Sequence, residues 1–377
     1  MAGIYIHIPF CRQKCHYCNF FSVVSKRHLP EVAAAIVREA ELQRDYLKGA
    51  VVESVYFGGG TPSLLSPEFL SAIMEAVART HTLSGDAEIT LEANPDDVNR
   101  ESLKSWKRLG INRLSMGVQS FDDEDLHYLN RVHSGGKALE CIGLSQEAGF
   151  GNLTIDLIYG FPTLSDEKWE RNLETVIRMG IPHLSAYALT VEPATALDVL
   201  IRRGKLAPVD EVQAVRHFGM LAQTMEAAGY LHYEISNLCT PGNFARHNTA
   251  YWKGVPYLGL GPSAHSFNGS SRQWNVSDIK GYLQAVETGA IPHETEILST
   301  GQQYNEYVMT GLRTMWGCRE EEIAARFGEA YRSYFAAGMK KHLAAGLVAC
   351  QNGCHILTAK GKLMADGIAA DLFFEND

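Results

Sequence analysis

The chain has 377 residues, is 46% hydrophobic and 20% charged, and carries a formal net charge of −9. This is the make-up of a globular protein long enough for a large core and an appended domain. The net acidity argues against a nucleic-acid surface, which needs clustered Lys and Arg, and no apolar run of about 18 residues is present to cross a membrane.

The N-terminus, MAGIYIHIPFC, has no basic start, and His7 and Pro9 break its apolar stretch, so no secretory signal is expected. Eight cysteines are too sparse for a disulfide scaffold, and the expectation is a reduced, cytoplasmic protein. Short strand-like runs then alternate with amphipathic helices over two-thirds of the chain. GIYIHI from Gly3 is the first strand and SVYFGG from Ser54 the second. Ser66-Pro67-Glu68 opens a helix with a cap residue, a first-turn proline and an early acid, and Leu70, Ile73, Met74 and Val77 form its apolar stripe. EITLEA from Glu88 and RLSMGVQ from Arg113 follow, then LTIDLIYG from Leu153. A helix starting at Ser165 carries Trp169, Leu173, Val176 and Ile177 and stops at Gly180, and HLSAYAL from His183 is the sixth strand. GINRLS from Gly110 and GIPHLS from Gly180 echo each other, both a helix stop leading into a strand.

Repeated strand–helix units imply a doubly wound sheet or a barrel. Six units without an order switch predict a partial TIM-like (β/α)6 barrel over residues 1–232, ending in a helix from about Asp210 to Ala228. Residues 233–299 are rich in Gly, Pro, Asn and aromatics and predict an irregular extension against the barrel mouth. Residues 300–377 predict three short helices and a hairpin at Asn352-Gly353, in the manner of a winged helix. With 8 Lys and Arg against 9 Asp and Glu, that module reads as a packing or partner-contact domain rather than a DNA reader. Cys350 and Cys354 would sit diagonally in the hairpin, so no disulfide is expected. Cys141, Cys239 and Cys318 read as buried small hydrophobes.

CRQKCHYCNFF, from Cys11 to Phe21, puts three thiols, Cys11, Cys15 and Cys18, on one loop after the first strand. Zinc held by three cysteines and His16 is one reading, although structural zinc sites pair two hooks distant in sequence. An iron–sulfur cluster with three thiolates is the other, and it leaves one iron open. YFGGGTPS, from Tyr56 to Ser63, follows the second strand and brings bare backbone to whatever sits there.

The two motifs together resemble the radical S-adenosylmethionine (SAM) superfamily, in which SAM chelates the open iron of a [4Fe–4S] cluster. YIHIPFCRQKCHYCNF, FGGGTP, LEANP, GVQSF and IDLIYGFP narrow the resemblance to its oxygen-independent coproporphyrinogen dehydrogenase-like branch. The resemblance implies that Cys11, Cys15 and Cys18 hold the cluster. It further implies that Tyr5, Tyr17, Gly59, Gly60, Thr61, Glu92, Gln119, Arg131 and Asp156 line SAM sites. Glu92 and Asp156 lie on otherwise apolar strands, where a carboxylate needs partners. Arg131 also reads as a solvated charge at a helix end.

Two departures separate the chain from the dehydrogenase. Phe20 stands where that enzyme has one more cysteine, and HNTAYW, from His247 to Trp252, resembles an element of the HemW-type heme chaperones. That resemblance implies heme as a further cofactor with His247 as candidate axial ligand, and His265 as a weaker second; a hydrogen-bonded core histidine is the plain alternative. The implied partners are heme and acceptor hemoproteins, with no nucleic acid and at most peripheral membrane contact through an acceptor. Three functions compete: a heme chaperone not expected to decarboxylate coproporphyrinogen, a coproporphyrinogen dehydrogenase, and a heme-modifying radical SAM methyltransferase.

Overall fold

The computed structural model describes residues 1–375; the last two residues of the C-terminal module, 376 and 377, lie outside the described residues. All six expected strands form: β1 (Ala2–Ile8), β2 (Val52–Gly59), β3 (Leu83–Ala93), β4 (Arg113–Gln119), β5 (Asn152–Tyr159) and β6 (His183–Ala188). They lie side by side in chain order, every neighbouring pair parallel. A doubly wound sheet would reverse that order at a switch point, so the mixed α/β fold is of the sequential, barrel-like kind. No pairing joins β6 to β1 among the described residues; the sheet runs on at both edges instead.

Helices α1 (Leu29–Leu42), α2 (Pro67–Thr80), α3 (Arg100–Arg108), α4 (Asp123–Tyr128), α5 (Gly135–Glu147), α6 (Asp166–Arg178), α7 (Ala196–Arg202) and α8 (Glu211–Ala227) connect these strands and follow the last. Ser165 and Asp210, where the sequence starts two of these helices, cap α6 and α8, each side-chain oxygen accepting a backbone N–H of the first turn. Ser66 precedes α2 but makes no such cap bond. The helix-stop echo recurs four times. Gly110, Gly149, Gly180 and Gly229 close α3, α5, α6 and α8 with φ between +63° and +83°. In each case the next residue (Ile111, Phe150, Ile181, Tyr230) donates its N–H back into the last helical turn before entering the core or a strand.

Strand alternation explains where the core ends and the site begins. Ile4, Ile6, Val55, Phe57, Leu91, Leu114, Met116, Leu153, Ile155 and Leu184 are fully buried on the helix side. The alternate residues are polar or aromatic, and the register sets them in rows across the other face: Tyr5 beside Tyr56 beside Thr90, and Glu92 beside Ser115 beside Thr154 beside His183. Buried parallel strands are ordinarily apolar on both faces. A polar inner face therefore marks the functional side.

Residues 233–299 are more regular than expected. After β7 (Leu231–His232), β8 (Asn237–Cys239) pairs antiparallel with β6, and α9 (Arg246–Trp252) carries the HNTAYW element. Strand β9 (Tyr257–Leu260) then pairs parallel with the free edge of β1, and β10 (His265–Phe267), β11 (Ser271–Asn275) and β12 (His293–Ile297) extend that flank, with α10 (Ile279–Glu287) packed alongside. Strands of three to five residues set among glycines and prolines show no readable period, and their partners lie far away in the chain. A fully buried carboxylate pins the flank: Glu39 of α1 accepts from Gly261 N at 2.7 Å, Asn275 Nδ2 at 2.7 Å and Tyr282 OH at 2.6 Å.

The C-terminal module follows the expected order: α11 (Thr300–Leu312), β13 (Cys318–Arg319), α12 (Glu320–Phe327), α13 (Glu329–Ala344), β14 (Val348–Gln351) and β15 (Cys354–Leu357), closed by α14 (Ala359–Lys362) and α15 (Ala365–Ala370). Its three strands are antiparallel in the order β13-β15-β14. Asn352 and Gly353 both have positive φ, and Cys350 faces His355 rather than Cys354, so the two thiols are free. Cys141, Cys239 and Cys318 are buried.

Candidate functional site

The polar face of the sheet, α9, the β9–β11 flank and the start of the C-terminal module enclose a cavity of about 1360 Å³. That exceeds the roughly 300–1,000 Å³ of an ordinary small-molecule pocket. Tyr5, Glu92, Asp156 and His247 line it, together with His7, Tyr56 and Phe20.

His247 is held at three points. Its Nδ1 is 2.9 Å from Ser54 Oγ on β2, its backbone N–H donates to Glu88 Oε1 on β3 at 3.3 Å, and its ring stacks on Tyr56 at 5.2 Å and Tyr5 at 6.4 Å between centroids. Gly3 makes the fit possible, because a Cβ there would come within 3.2 Å of the imidazole. Burial lowers the His247 pKa to about 4, so the ring is neutral at pH 7. Nδ1 pairs with Ser54 Oγ, and Nε2 has no hydrogen-bond partner among the described residues. A neutral imidazole with one nitrogen engaged and the other free has the arrangement a metal ligand requires. His265, by contrast, is exposed at the cavity edge and stacks on Trp274.

The thiol loop lies between β1 and α1. Cys11, Cys15 and Cys18 are all half-buried, and the loop returns to its strand through Cys11 N–Val23 O at 2.9 Å and Val23 N–Pro9 O at 2.8 Å. Burial pushes the Cys11 and Cys18 thiols up, Thr61 and Ser22 hydroxyls easing Cys11 in the opposite direction. Among the described residues no three His, Cys, Asp or Glu side chains converge on a single-ion site. His16, the zinc candidate, has Nδ1 3.1 Å from the Tyr128 carbonyl oxygen. The donor set, three thiols on one loop, suits a cluster whose irons each take one of them. Arg131 is the surprise: it is no solvated charge. Its guanidinium donates to Cys15 Sγ at 3.3 Å, Asn94 Oδ1 at 2.9 Å and the Gly117 carbonyl at 2.6 Å. Tyr17 sits against the same Cys15, and Gln119, with φ +69°, brings its amide beside Gly117. Arg131, Gln119, Tyr17 and Thr61 thus group with the thiols, apart from the four that line the cavity.

The glycine run also lies tight against its own fold. A Cβ on Gly58 would strike the Tyr56 and Tyr5 rings, one on Gly59 the His7 ring at 2.7 Å, and one on Gly60 the Phe10 carbonyl oxygen at 2.6 Å. The run is bare so that β2 can close on β1 and on the root of the thiol loop. His7, marked in the sequence only as a break in the apolar stretch, joins the two halves of the site. Its Nε2–H donates to the Phe21 carbonyl at 3.0 Å and its Nδ1 accepts from Tyr5 OH at 3.1 Å. The signal that could have found His7, Ser54 and Tyr56 is the polar alternation of the strands.

Glu92 and Asp156 face the cavity as a like-charged pair. Burial pushes Glu92 up to about 7, outweighing the hydrogen bond from Tyr56 OH at 2.7 Å, and the Asp156 charge adds to the rise. Burial likewise pushes Asp156 up to about 6 against hydrogen bonds from Ser185 and Ser115. A carboxyl whose pKa rises on folding binds protons more tightly when folded, so its ionisation destabilises the fold as pH climbs from about 4.5 to about 7. Glu92→Gln will therefore raise the melting temperature of the ligand-free protein at pH 8 and change it little at pH 5. A stabilisation equal at both pH values would show that Glu92 ionises normally.

The Radical SAM superfamily model matches residues 5–176 and the HemN C-terminal domain model residues 298–364. Fold and site define a radical SAM protein, and that class brings a [4Fe–4S] cluster and SAM as its cofactors. The chain is 33% identical over 373 residues to the heme chaperone HemW of Bacillus subtilis, covering 98% of both chains. It is 36% identical over 376 residues to heme chaperone HemW of Mycobacterium tuberculosis, covering 98% of this chain and 94% of that one. The structure of coproporphyrinogen III oxidase (HemN) from Escherichia coli, a radical SAM enzyme, matches with a TM-score of 0.86 at 25% identity, over 100% of this chain and 90% of that one. The chain belongs to the HemW family of heme chaperones.

Proposed function

We propose that this protein binds heme and passes it to acceptor hemoproteins in the cytoplasm, and that it does not decarboxylate coproporphyrinogen. The observation that carries the reading is the prepared imidazole: His247 is neutral, fixed through Nδ1, free at Nε2 and flanked by two tyrosine rings in a cavity roomy enough for a tetrapyrrole. Cys11, Cys15 and Cys18 would hold the cluster, which with SAM supplies one-electron chemistry when bound. Arg131 would place positive charge beside the thiolate of Cys15, and Tyr17, Gly59, Gly60, Thr61 and Gln119 would shape the space around it. Tyr5, Glu92 and Asp156 would offer polar groups to SAM from the cavity side. Three segments divide the work: the core 1–232, the extension 233–299 with the heme ligand, and the module from 300 onward. Among the described residues no helix is long and apolar enough to cross a membrane, and the acidic chain gives nucleic acid no footing, so membrane contact would come through an acceptor alone.

The overall likeness to HemN keeps tetrapyrrole chemistry as the second reading. The test is anaerobic reconstitution, hemin titration and a coproporphyrinogen decarboxylation assay on one preparation. His247→Ala is expected to shift the hemin absorption spectrum and weaken binding about tenfold or more, with cluster content and melting temperature unchanged. Robust coproporphyrinogen turnover by the wild type, or no hemin binding at all, would return the protein to the enzymes.

A further inference from the structure

Five cations line the cavity: Arg113, Lys253, Arg272, Arg319 and Arg326. Three are neutralised in place, Arg113 by Glu88, Arg272 by Glu306 and Arg326 by Glu322. Lys253 and Arg319 have no carboxylate partner among the described residues. In a chain whose net charge is −9, two unpaired cations on a cavity wall do not reflect a shortage of acids.

Lys253 is positioned by an aromatic ring, and Arg319 is placed by its backbone. Lys253 caps the C-terminal end of α9, six residues after His247 and so about 9 Å along the helix axis. Its Nζ rests 4.2 Å from the centre of the Trp316 ring, which holds the ammonium by a cation–π contact. Trp316 is itself wedged against Tyr233 at 6.1 Å and Phe244 at 5.9 Å. Gly317, at φ +63°, turns the chain there, and Arg319 ends β13 three residues on, at most about 11 Å of backbone away. The Arg319 backbone N–H is fixed by Tyr307 OH at 2.9 Å while its side chain stays exposed.

We propose that Lys253 and Arg319 form a carboxylate-reading edge of the cavity, taking the paired carboxylates of a planar tetrapyrrole whose metal is held by His247. The proposal rests on the heme reading above and adds how the ligand is oriented. The metal and one carboxylate engage α9, and the other carboxylate engages β13, so that a single ligand ties the extension to the C-terminal module. An amine or guanidinium donating to a carboxylate is a charge-assisted hydrogen bond, among the stronger polar contacts available to a half-exposed site.

The experiment compares hemin with its dimethyl ester, which keeps ring and iron and loses both charges. Wild type is expected to bind hemin about tenfold or more tightly than the ester. Lys253→Ala with Arg319→Ala should erase that difference by weakening hemin alone, and Lys253→Arg should retain it, since it keeps the charge. Ester affinity in the double variant also reports folding, because an unfolded cavity would lose both ligands. Equal affinity of wild type for hemin and ester, or equal weakening of both in the double variant, overturns the carboxylate edge and leaves the heme reading standing. Failure of wild type to bind either ligand overturns both.

Discussion

Replacing Cys11, Cys15 and Cys18 together with alanine will give a folded protein that assembles no iron–sulfur cluster. The thiols are half-buried on a loop, outside the core cluster that the six strands and their helices build. The loop is shaped by other contacts: the Phe10–Val23 bridge, the His7 bond to the Phe21 carbonyl, and Leu197 N–H on the His16 carbonyl at 2.8 Å. Arg131 loses one acceptor but keeps Asn94 and the Gly117 carbonyl. Stability should accordingly change by no more than about 1 kcal/mol, while iron and acid-labile sulfide after reconstitution fall to background. Hemin binding through His247, on a different element, should persist. A variant that still takes up four irons would show that the cluster is held elsewhere.

Glu39→Ala is expected to destabilise the protein by about 3 kcal/mol or more. Removing the carboxylate strands the Gly261 N–H, the Asn275 amide and the Tyr282 hydroxyl in a buried space, and each unsatisfied donor costs about 1–3 kcal/mol. These penalties share one pocket and do not add fully. Glu39→Gln keeps an acceptor for part of the set and should fall between. Burial still raises the carboxyl pKa despite its donors, which join α1 to the β9–β11 flank. Denaturant melts with a common slope would measure the difference, and a loss under about 1 kcal/mol would mean that the donors find other acceptors.

What the sequence disclosed and withheld follows from range. β4 is legible to the residue because Leu114, Met116 and Val118 alternate with polar neighbours and Gly110 stops the helix before it. The cysteine loop and the glycine run are legible because motif and function sit in one short stretch. Their physical reasons are another matter. Gly60 is bare for the Phe10 backbone, and that contact joins residues fifty apart. Arg131 looks like a surface charge until three acceptors from β4, the thiol loop and the turn after β3 close around it. Ser54 and Glu88 gain meaning only when α9, more than 150 residues on, sets His247 against them. The short strands β9–β11 escape for the same reason: what makes Tyr257–Leu260 a strand is the free edge of β1, not its own composition.

That pairing has a consequence for how the protein is made. β1 is made before every other element among the described residues, yet it ends as an interior strand with β2 on one side and β9 on the other. The second neighbour is some 250 residues later, which at about 5–20 residues per second is roughly 10–50 s of synthesis. Throughout that interval an apolar strand, AGIYIHI, presents an uncovered row of N–H and C=O groups, the arrangement most prone to pair with another chain. The thiol loop grows from the end of this same strand, and Gly261, just past β9, packs on the His7 carbonyl beside it. The root of the thiol loop therefore gains its second flank only once β9 has been made and paired with β1.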